Sequence, residues 1–95
     1  MVDFSADWCT ECLLMERNIF AQDVVRQQLR GMLLIRADLT HFDTSSKKLM
    51  QRFAVVGPPT VVFLNPDGSE ITDARVVGDI GVSGFLDRLA KVLRA

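Results

Sequence analysis

The sequence predicts an α/β domain in which a mixed central β-sheet is flanked by helices on both faces. Three features indicate this architecture: elements in the order β-α-α-β-α-β-β-α, a helical connection between the first two strands, and a tight turn between the last two. The helical crossover makes the first two strands parallel, whereas the turn makes the last two antiparallel. The 95 residues, of which 48% are hydrophobic, suffice for one domain with a single core.

The first half of the chain contains two strands and two helices. The apolar run Met1–Ala6 predicts a short buried strand, and Met32–Leu39 predicts a second strand because its residues alternate near its end. Between them, we expect helices over Cys9–Asn18 and Gln22–Leu29, with Gly31 as the C-cap of the second helix. These elements form the parallel half of the sheet.

The second half of the chain is predicted to contain two helices and two strands, each bounded by capping or turn residues. In chain order they are a helix capped by Thr44 or Ser45 that runs through Phe53, a strand at Thr60–Leu64, a strand at about Glu70–Val77, and a helix at Ser83–Arg94. β-branched residues and the Asn65–Gly68 turn indicate the hairpin. Apolar residues at helical spacing indicate the closing helix.

Charge and hydropathy exclude several classes of function. The net charge is −1 and there is no basic stripe, which argues against nucleic acid as a partner. No apolar run approaches the roughly 20 residues that a membrane span needs, and no signal-peptide pattern precedes the first strand. We therefore expect no direct insertion of this segment into a membrane, and we expect residues 1–95 to be one domain of a longer protein.

Cys9 and Cys12 are the only cysteines of the chain, and they directly follow the first strand. Two thiols at this spacing can form a disulfide with little backbone movement when the first caps a helix and the second lies one turn in. The helix N-terminus stabilises the thiolate of the first cysteine. Such a dithiol can pass two electrons to another disulfide through a mixed disulfide, so the pattern predicts a redox site.

Two other interpretations of the cysteines are open. A zinc site needs four ligands, but the single histidine, His41, lies about thirty positions after Cys12. A purely structural disulfide would close a loop too short to give a large entropic gain. Redox exchange is the favoured interpretation, and we expect neither a metal nor a cofactor.

A second motif, Gly57-Pro58-Pro59-Thr60, stands immediately before the predicted third strand. A cis bond at Pro59 would turn the chain sharply and leave backbone groups free to pair with an extended peptide. Base rates favour a trans bond, and only the presence of Cys-x-x-Cys in the same chain reverses that expectation. We therefore expect a cis Pro59 and a substrate-binding role for Gly57, Pro58 and Pro59.

The residues Val2-Asp3-Phe4-Ser5-Ala6-Asp7-Trp8-Cys9-x-x-Cys12 resemble the active-site segment of the thioredoxin family, and Gly57–Thr60 resembles its cis-proline loop. Nearly the whole chain is similar to the C-terminal periplasmic domain of the DsbD membrane reductases. That similarity rests on Ala6–Cys9, Glu16, Phe20, Ala37–Thr40, Asn65–Gly68 and Ala74–Gly78. The resemblance implies a thioredoxin-like fold that lacks the usual first strand and helix, because the chain begins at what would be the second strand.

The resemblance implies a protein-disulfide reductase that relays electrons from a membrane-embedded donor to periplasmic protein disulfides. We expect Cys9 to attack the substrate, beside an exposed edge formed by Trp8, and Cys12 to resolve the mixed disulfide. Asp3 lies on the strand beneath the motif, and if burial raises its pKa it could accept the proton of Cys12. The alternative is a strand-end acid that points to water.

Glu16 lies four positions after Cys12, on the same helix face. The resemblance implies that it raises the thiol pKa by like-charge repulsion, whereas the alternative is a solvated glutamate. Two departures from thioredoxins, Leu13 and the Thr10-Glu11 pair, bear on general thioredoxin activity more than on thiol exchange. A negative Glu11 opposes thiolate formation and favours a reductant over an oxidant.

Two alternative functions share this fold. The first is a free-standing thioredoxin-like reductase, and the second is a redox-inert module that holds an extended peptide against Gly57–Thr60. Reduction of a model disulfide separates the inert module from the two reductases.

Overall fold

The computed structural model describes residues 1–94 and contains a four-stranded mixed sheet. Its strands are β1 (Val2–Ser5), β2 (Ile35–Asp38), β3 (Thr60–Val62) and β4 (Val76–Val77). Their spatial order is β2-β1-β3-β4, with β1 parallel to β2 and the other two pairings antiparallel. The parallel pair and the antiparallel hairpin that the sequence predicts are confirmed.

The helices are α1 (Thr10–Met15), α2 (Asp23–Leu29), α3 (Thr44–Arg52) and α4 (Gly81–Arg94). The helix expected over Cys9–Asn18 changes its hydrogen-bonding pattern after Met15, because Glu16–Phe20 form a π-helical turn that carries the chain towards α2. The prediction of Gly31 as the C-cap of α2 is wrong by one position: Arg30 is the C-cap, and Gly31 follows it with a positive φ of 81°. Within residues 1–94, no helix combines the length and apolarity needed to cross a membrane.

Both faces of the sheet carry an apolar core. On one face α3 packs over a cluster that includes both cysteines: Val2, Phe4, Ala6, Cys9, Cys12, Ala37, Leu39, Val55 and Val62. On the other face α1, α2 and α4 enclose Met15, Ile19, Val25, Leu29, Val61, Phe63, Ala74, Val76, Phe85 and Leu89. Full burial of one such aliphatic or aromatic side chain contributes about 1.5–3 kcal/mol, so these clusters hold the cysteine-bearing helix against the sheet.

The hairpin is shorter than the sequence predicts. The prediction of a continuous strand over Glu70–Val77 is wrong, because a 3-10 turn at Thr72–Ala74 interrupts it and only Val76–Val77 continue the ladder with β3. Ala74 is fully buried in the core beside α4. The segment therefore leaves the sheet at this turn, where the ladder hydrogen bonds to β3 stop and the Ala74 side chain enters the core.

The cap of α3 also differs from the prediction. Neither Thr44 nor Ser45 caps this helix; Asp43 does so, since its carboxylate accepts a hydrogen bond from the Ser46 N–H at 2.8 Å. This bond lowers the pKa of Asp43. The helix ends at Arg52, with Phe53 as its C-cap.

β2 forms an edge of the sheet and is shorter than the predicted Met32–Leu39, because β1 pairs only with Ile35–Asp38. Leu33, Leu34 and Ile35 are exposed along this edge.

Candidate active site

Cys9 is the N-cap of α1, in extended backbone conformation, and Cys12 lies one turn into the helix. The backbone N–H of Cys12 donates a hydrogen bond to Cys9 Sγ at 3.2 Å. A sulfur at this position takes the place of the oxygen that usually caps a helix, and it lies at the positive end of the helix dipole. The expected placement of both cysteines is confirmed, and this placement stabilises a negative charge on Cys9 more than on Cys12.

Cys9 and Cys12 form a disulfide, with their Cα atoms 5.2 Å apart. The site is therefore seen in the oxidised form. The two residues are almost equally buried, at 6% and 8% exposure, so burial alone does not distinguish the attacking thiol from the resolving one. The roles of the two cysteines thus rest on the capping bond and stay a prediction.

Trp8 is held beside Cys9 by the loop that follows β2. Its indole Nε1 donates to the carbonyl of Thr40 at 3.0 Å, and its ring stacks on Phe42 with centroids 5.7 Å apart. The Thr40 hydroxyl accepts from the Asp7 N–H at 3.0 Å and donates to the Asp38 carboxylate. Two successive residues before Cys9 are therefore fixed by one threonine, although Trp8 keeps an exposed face.

The predicted cis bond is confirmed, and it joins Pro58 to Pro59. The loop is held internally by the Thr60 hydroxyl, which donates to the carbonyl of Gly57 at 2.7 Å. Pro59 accepts a hydrogen bond from the Gly78 N–H at 3.0 Å, whereas Val56 is almost completely exposed. The residue before β3 is thus hydrogen-bonded to the residue after β4. The exposed apolar side chain of Val56 precedes the loop.

Glu11 links the cysteine motif to this loop region. Its Oε2 lies 3.6 Å from the position that a Cβ would occupy on Gly78. Because the Gly78 N–H is hydrogen-bonded to the Pro59 carbonyl, the contact between Glu11 and Gly78 brings the first turn of α1 close to the cis-proline loop. Both motifs that the sequence singled out therefore belong to one site.

Asp3 lies on the face of β1 opposite Val2 and Phe4, and it is partly buried. Burial raises the pKa of Asp3, the nearby Arg36 guanidinium lowers it and the Glu16 carboxylate raises it further. Arg36 is its register neighbour on β2. Desolvation is the largest influence on this carboxyl, which favours the interpretation as a partly buried acid over a strand-end acid that points to water.

Asp3 and Glu16 line one open cavity of about 560 Å³, although Glu16 is itself exposed. Neither cysteine lines this cavity. The Glu16 backbone N–H donates to the Cys12 carbonyl within the helix, but within residues 1–94 no hydrogen bond joins the Asp3 or Glu16 carboxylate to a cysteine. The structure therefore brings the two carboxyl groups together, and their action on the thiols stays a prediction. In the same residues no group of three His, Cys, Asp or Glu side chains is arranged to hold a metal.

The sequence does not predict Thr40, Phe42 and Gly78 as site residues. Thr40 and Phe42 lie more than thirty positions after Trp8, and only the parallel β1–β2 pairing brings their loop to it. One local signal was available, because Asp38 and Thr40 are spaced for a short side-chain turn after a strand. No such signal marks Gly78 as a neighbour of Glu11.

The mixed sheet, the helix-capping cysteine and the cis-proline loop agree with the family match of the sequence. Residues 1–93 match the thioredoxin-like domain, and the chain belongs to this family. The predicted thioredoxin-like fold is confirmed.

Similarity to individual proteins is more specific than the family match. The chain is 35% identical over 95 residues to the thiol:disulfide interchange protein DsbD of Pseudomonas fluorescens, an alignment that covers 100% of this chain and 16% of that protein. The C-terminal domain of DsbD from Neisseria meningitidis, in the reduced form, superposes with a TM-score of 0.84 at 26% identity, covering 95% of this chain and 76% of the other. The predicted similarity to DsbD is confirmed.

A thioredoxin from Thermus thermophilus superposes with a TM-score of 0.81 at 26% identity, covering 97% of this chain and 71% of the other. The chain spans about one sixth of the length of the DsbD proteins it matches. Together with the Cys9–Cys12 disulfide, these neighbours indicate a thiol–disulfide interchange domain.

Proposed function

We propose that this domain reduces disulfides of partner proteins by thiol–disulfide exchange, with Cys9 as nucleophile and Cys12 as resolving thiol. The observation that carries the proposal is the hydrogen bond from the Cys12 N–H to Cys9 Sγ at the N-cap of α1. This bond stabilises the thiolate at Cys9, and the thiolate is the attacking species in exchange.

The exchange proceeds in two substitutions at sulfur. The Cys9 thiolate attacks one sulfur of the partner disulfide, so a Cys9–partner disulfide forms and the other partner sulfur leaves as a thiolate that takes up a proton. Cys12 then loses its proton and attacks Cys9 Sγ, which releases the second partner thiol. The partner gains two electrons, and the domain is left with the Cys9–Cys12 disulfide.

The surroundings of the cysteines supply orientation and a proton acceptor. Gly57, Pro58 and Pro59 form the cis-proline loop near the first turn of α1, and a partner chain can lie along the backbone of this loop. Trp8 offers an exposed aromatic face next to Cys9. Asp3 accepts the Cys12 proton, since its raised pKa makes it a better base than an ordinary carboxylate.

We propose further that the domain is the periplasmic end of a longer inner-membrane protein and that a membrane-embedded dithiol restores its reduced form. Support comes from the relatives, which are named DsbD and are about six times longer than this chain. Reading the gene upstream of residue 1 tests this point: membrane-spanning segments support it, and an isolated reading frame supports a free-standing reductase.

Trapping tests the roles of the cysteines. Reduced Cys12→Ser, incubated with a disulfide-bonded protein substrate, should accumulate a mixed disulfide seen as a mass increase equal to the substrate, since nothing resolves it. Cys9→Ser should trap none. Equal trapping by both variants would contradict the assignment, and failure of the parent domain to reduce a model disulfide would favour the redox-inert module.

A further inference from the structure

Glu11 lies between the two cysteines in the sequence, and its side chain reaches Gly78. Its Oε2 lies 3.6 Å from the ideal Cβ position of Gly78, at van der Waals distance from a side chain there. The Gly78 N–H donates to the Pro59 carbonyl. The carboxylate therefore stands next to the backbone on which a partner segment would lie.

No basic side chain neutralises this carboxylate. Across residues 1–94 the only ion pair joins Arg75 to Glu70. Glu11 is exposed, as are Asp7 before Trp8 and Asp79 after Gly78, so the sequence neighbours of the site add negative charge instead of cancelling it. A partner that docks here meets an unpaired carboxylate beside the reacting sulfur.

Exposed apolar side chains belong to the same segments as Cys9, Gly78 and the cis-proline loop. Trp8, Val56 and Val77 are 54%, 97% and 69% exposed. Val77 directly precedes Gly78, and Val56 directly precedes the cis-proline loop. A long basic side chain combines an aliphatic stem that can cover such surface with a charged end that can pair with a carboxylate.

We propose that Glu11 selects partner segments that carry a lysine or arginine close to the target cysteine. The proposal rests on the reductase function proposed above and names the partner chemistry for the same site. Opposite charge increases the rate of encounter and holds the docked segment, whereas an acidic residue at the same place is repelled. Glu11 thereby acts as a specificity-determining residue, in addition to any effect on thiolate formation.

Three disulfide-bonded peptides that differ only at the residue two positions from the target cysteine (Lys, Gln or Glu) provide the test. The pre-reduced domain is mixed with each peptide at low salt, and the second-order rate constant is followed through the fluorescence of Trp8, the only tryptophan. The parent should reduce the Lys peptide roughly fivefold faster than the Glu peptide. Glu11→Gln should lower the ratio at least twofold, although Asp7 and Asp79 keep it above one, and Glu11→Lys should lower it further.

The ratio between peptides isolates selection from reactivity, because any change in the Cys9 thiolate affects all three peptides equally. Asp23→Asn is the matched control, since it removes an exposed carboxylate from the first turn of α2, beyond α1 and the π-helical turn. It should leave the ratio unchanged, and about 0.5 M salt should reduce the ratio of the parent.

The outcomes separate this proposal from the reductase function. Reduction of all peptides with the same Lys-to-Glu ratio in the parent and in Glu11→Lys would overturn the role of Glu11 and leave the reductase function intact. If the parent reduces none of the peptides while dithiothreitol reduces all of them, the reductase function fails, and the role of Glu11 fails with it.

Discussion

The guanidinium of Arg75 binds the Glu70 carboxylate through two hydrogen bonds, Nε to Oε2 at 2.7 Å and Nη2 to Oε1 at 2.6 Å. The same guanidinium donates to the carbonyls of Phe53 and Ala54, at the C-terminal end of α3. The hydrogen bond with Glu70 raises the pKa of Arg75. One side chain therefore ties the hairpin segment to the residues that lead into the cis-proline loop.

Replacing Arg75 should destabilise the fold more than loss of an ordinary surface ion pair would. Both side chains are mostly buried, and Arg75→Ala leaves a carboxylate and two carbonyls without their donor. We expect Arg75→Ala to lower the free energy of unfolding by about 2 kcal/mol and Arg75→Lys by about 1 kcal/mol, since lysine cannot donate in the same fork. Urea denaturation of the oxidised protein measures both values.

A double-mutant cycle with Glu70→Ala provides the control for Arg75. The double variant should lose less stability than the sum of the single losses, because each single change leaves the other group unpaired. Strictly additive losses would show that the pair contributes nothing as a unit.

Asp3 should make stability depend on pH in a defined direction. Its pKa is raised in the folded state, so folding favours the protonated carboxyl, and this contribution is complete below the unfolded pKa of about 3.9. It is lost as pH rises through the raised folded pKa, and the ionised carboxylate then costs stability. Asp3→Asn should therefore be more stable than the parent at pH 7, on the order of 1 kcal/mol, and equal to it near pH 3. Parallel curves of unfolding free energy against pH would contradict this.

Asp3 and Glu16 should together keep Cys9 a weak nucleophile at neutral pH. Carboxylates near a thiol raise its pKa by repulsion. The helix N-terminus lowers the pKa, but it stabilises the thiolate by only about 0.3–1 kcal/mol. We expect the pKa of Cys9 in the reduced domain to exceed the value of about 8.5 for free cysteine, and to fall in Asp3→Asn and in Glu16→Gln. The rate of alkylation against pH measures it. A parent pKa well below 8.5, or no decrease in either variant, would refute the expectation.

Phe42 should control the environment of Trp8. Its φ is +45°, a region that asparagine adopts with less strain than phenylalanine, so Phe42→Asn removes the stacked ring without adding backbone strain. We expect the emission of Trp8 to shift to longer wavelength and the KM for a protein disulfide to rise about threefold with little change in kcat. Phe42→Leu, which keeps an apolar contact, is the control and should change both values less. Unaltered emission in Phe42→Asn would show that the stack does not shield Trp8.

Local sequence patterns predicted the parts of the site that depend on helix geometry. Cys9 and Cys12 are close because residues three apart on a helix start share one turn, and this follows from spacing alone. The cis bond at Pro59 was predicted only through the co-occurrence of two motifs. The prediction of Thr44 or Ser45 as the cap of α3 is wrong by one or two positions, because Asp43, Thr44 and Ser45 all have side chains that can cap.

The order of elements, the cysteine pair and the Gly57–Thr60 loop follow from local patterns, since each is encoded by residues that are neighbours along the chain. The contacts of Thr40 with Trp8, of Glu11 with Gly78 and of Arg75 with the end of α3 depend instead on the tertiary structure. These contacts join residues separated by more than twenty positions. They form only when the strands pair in one register and both helical layers pack on the sheet, and no local pattern encodes that packing.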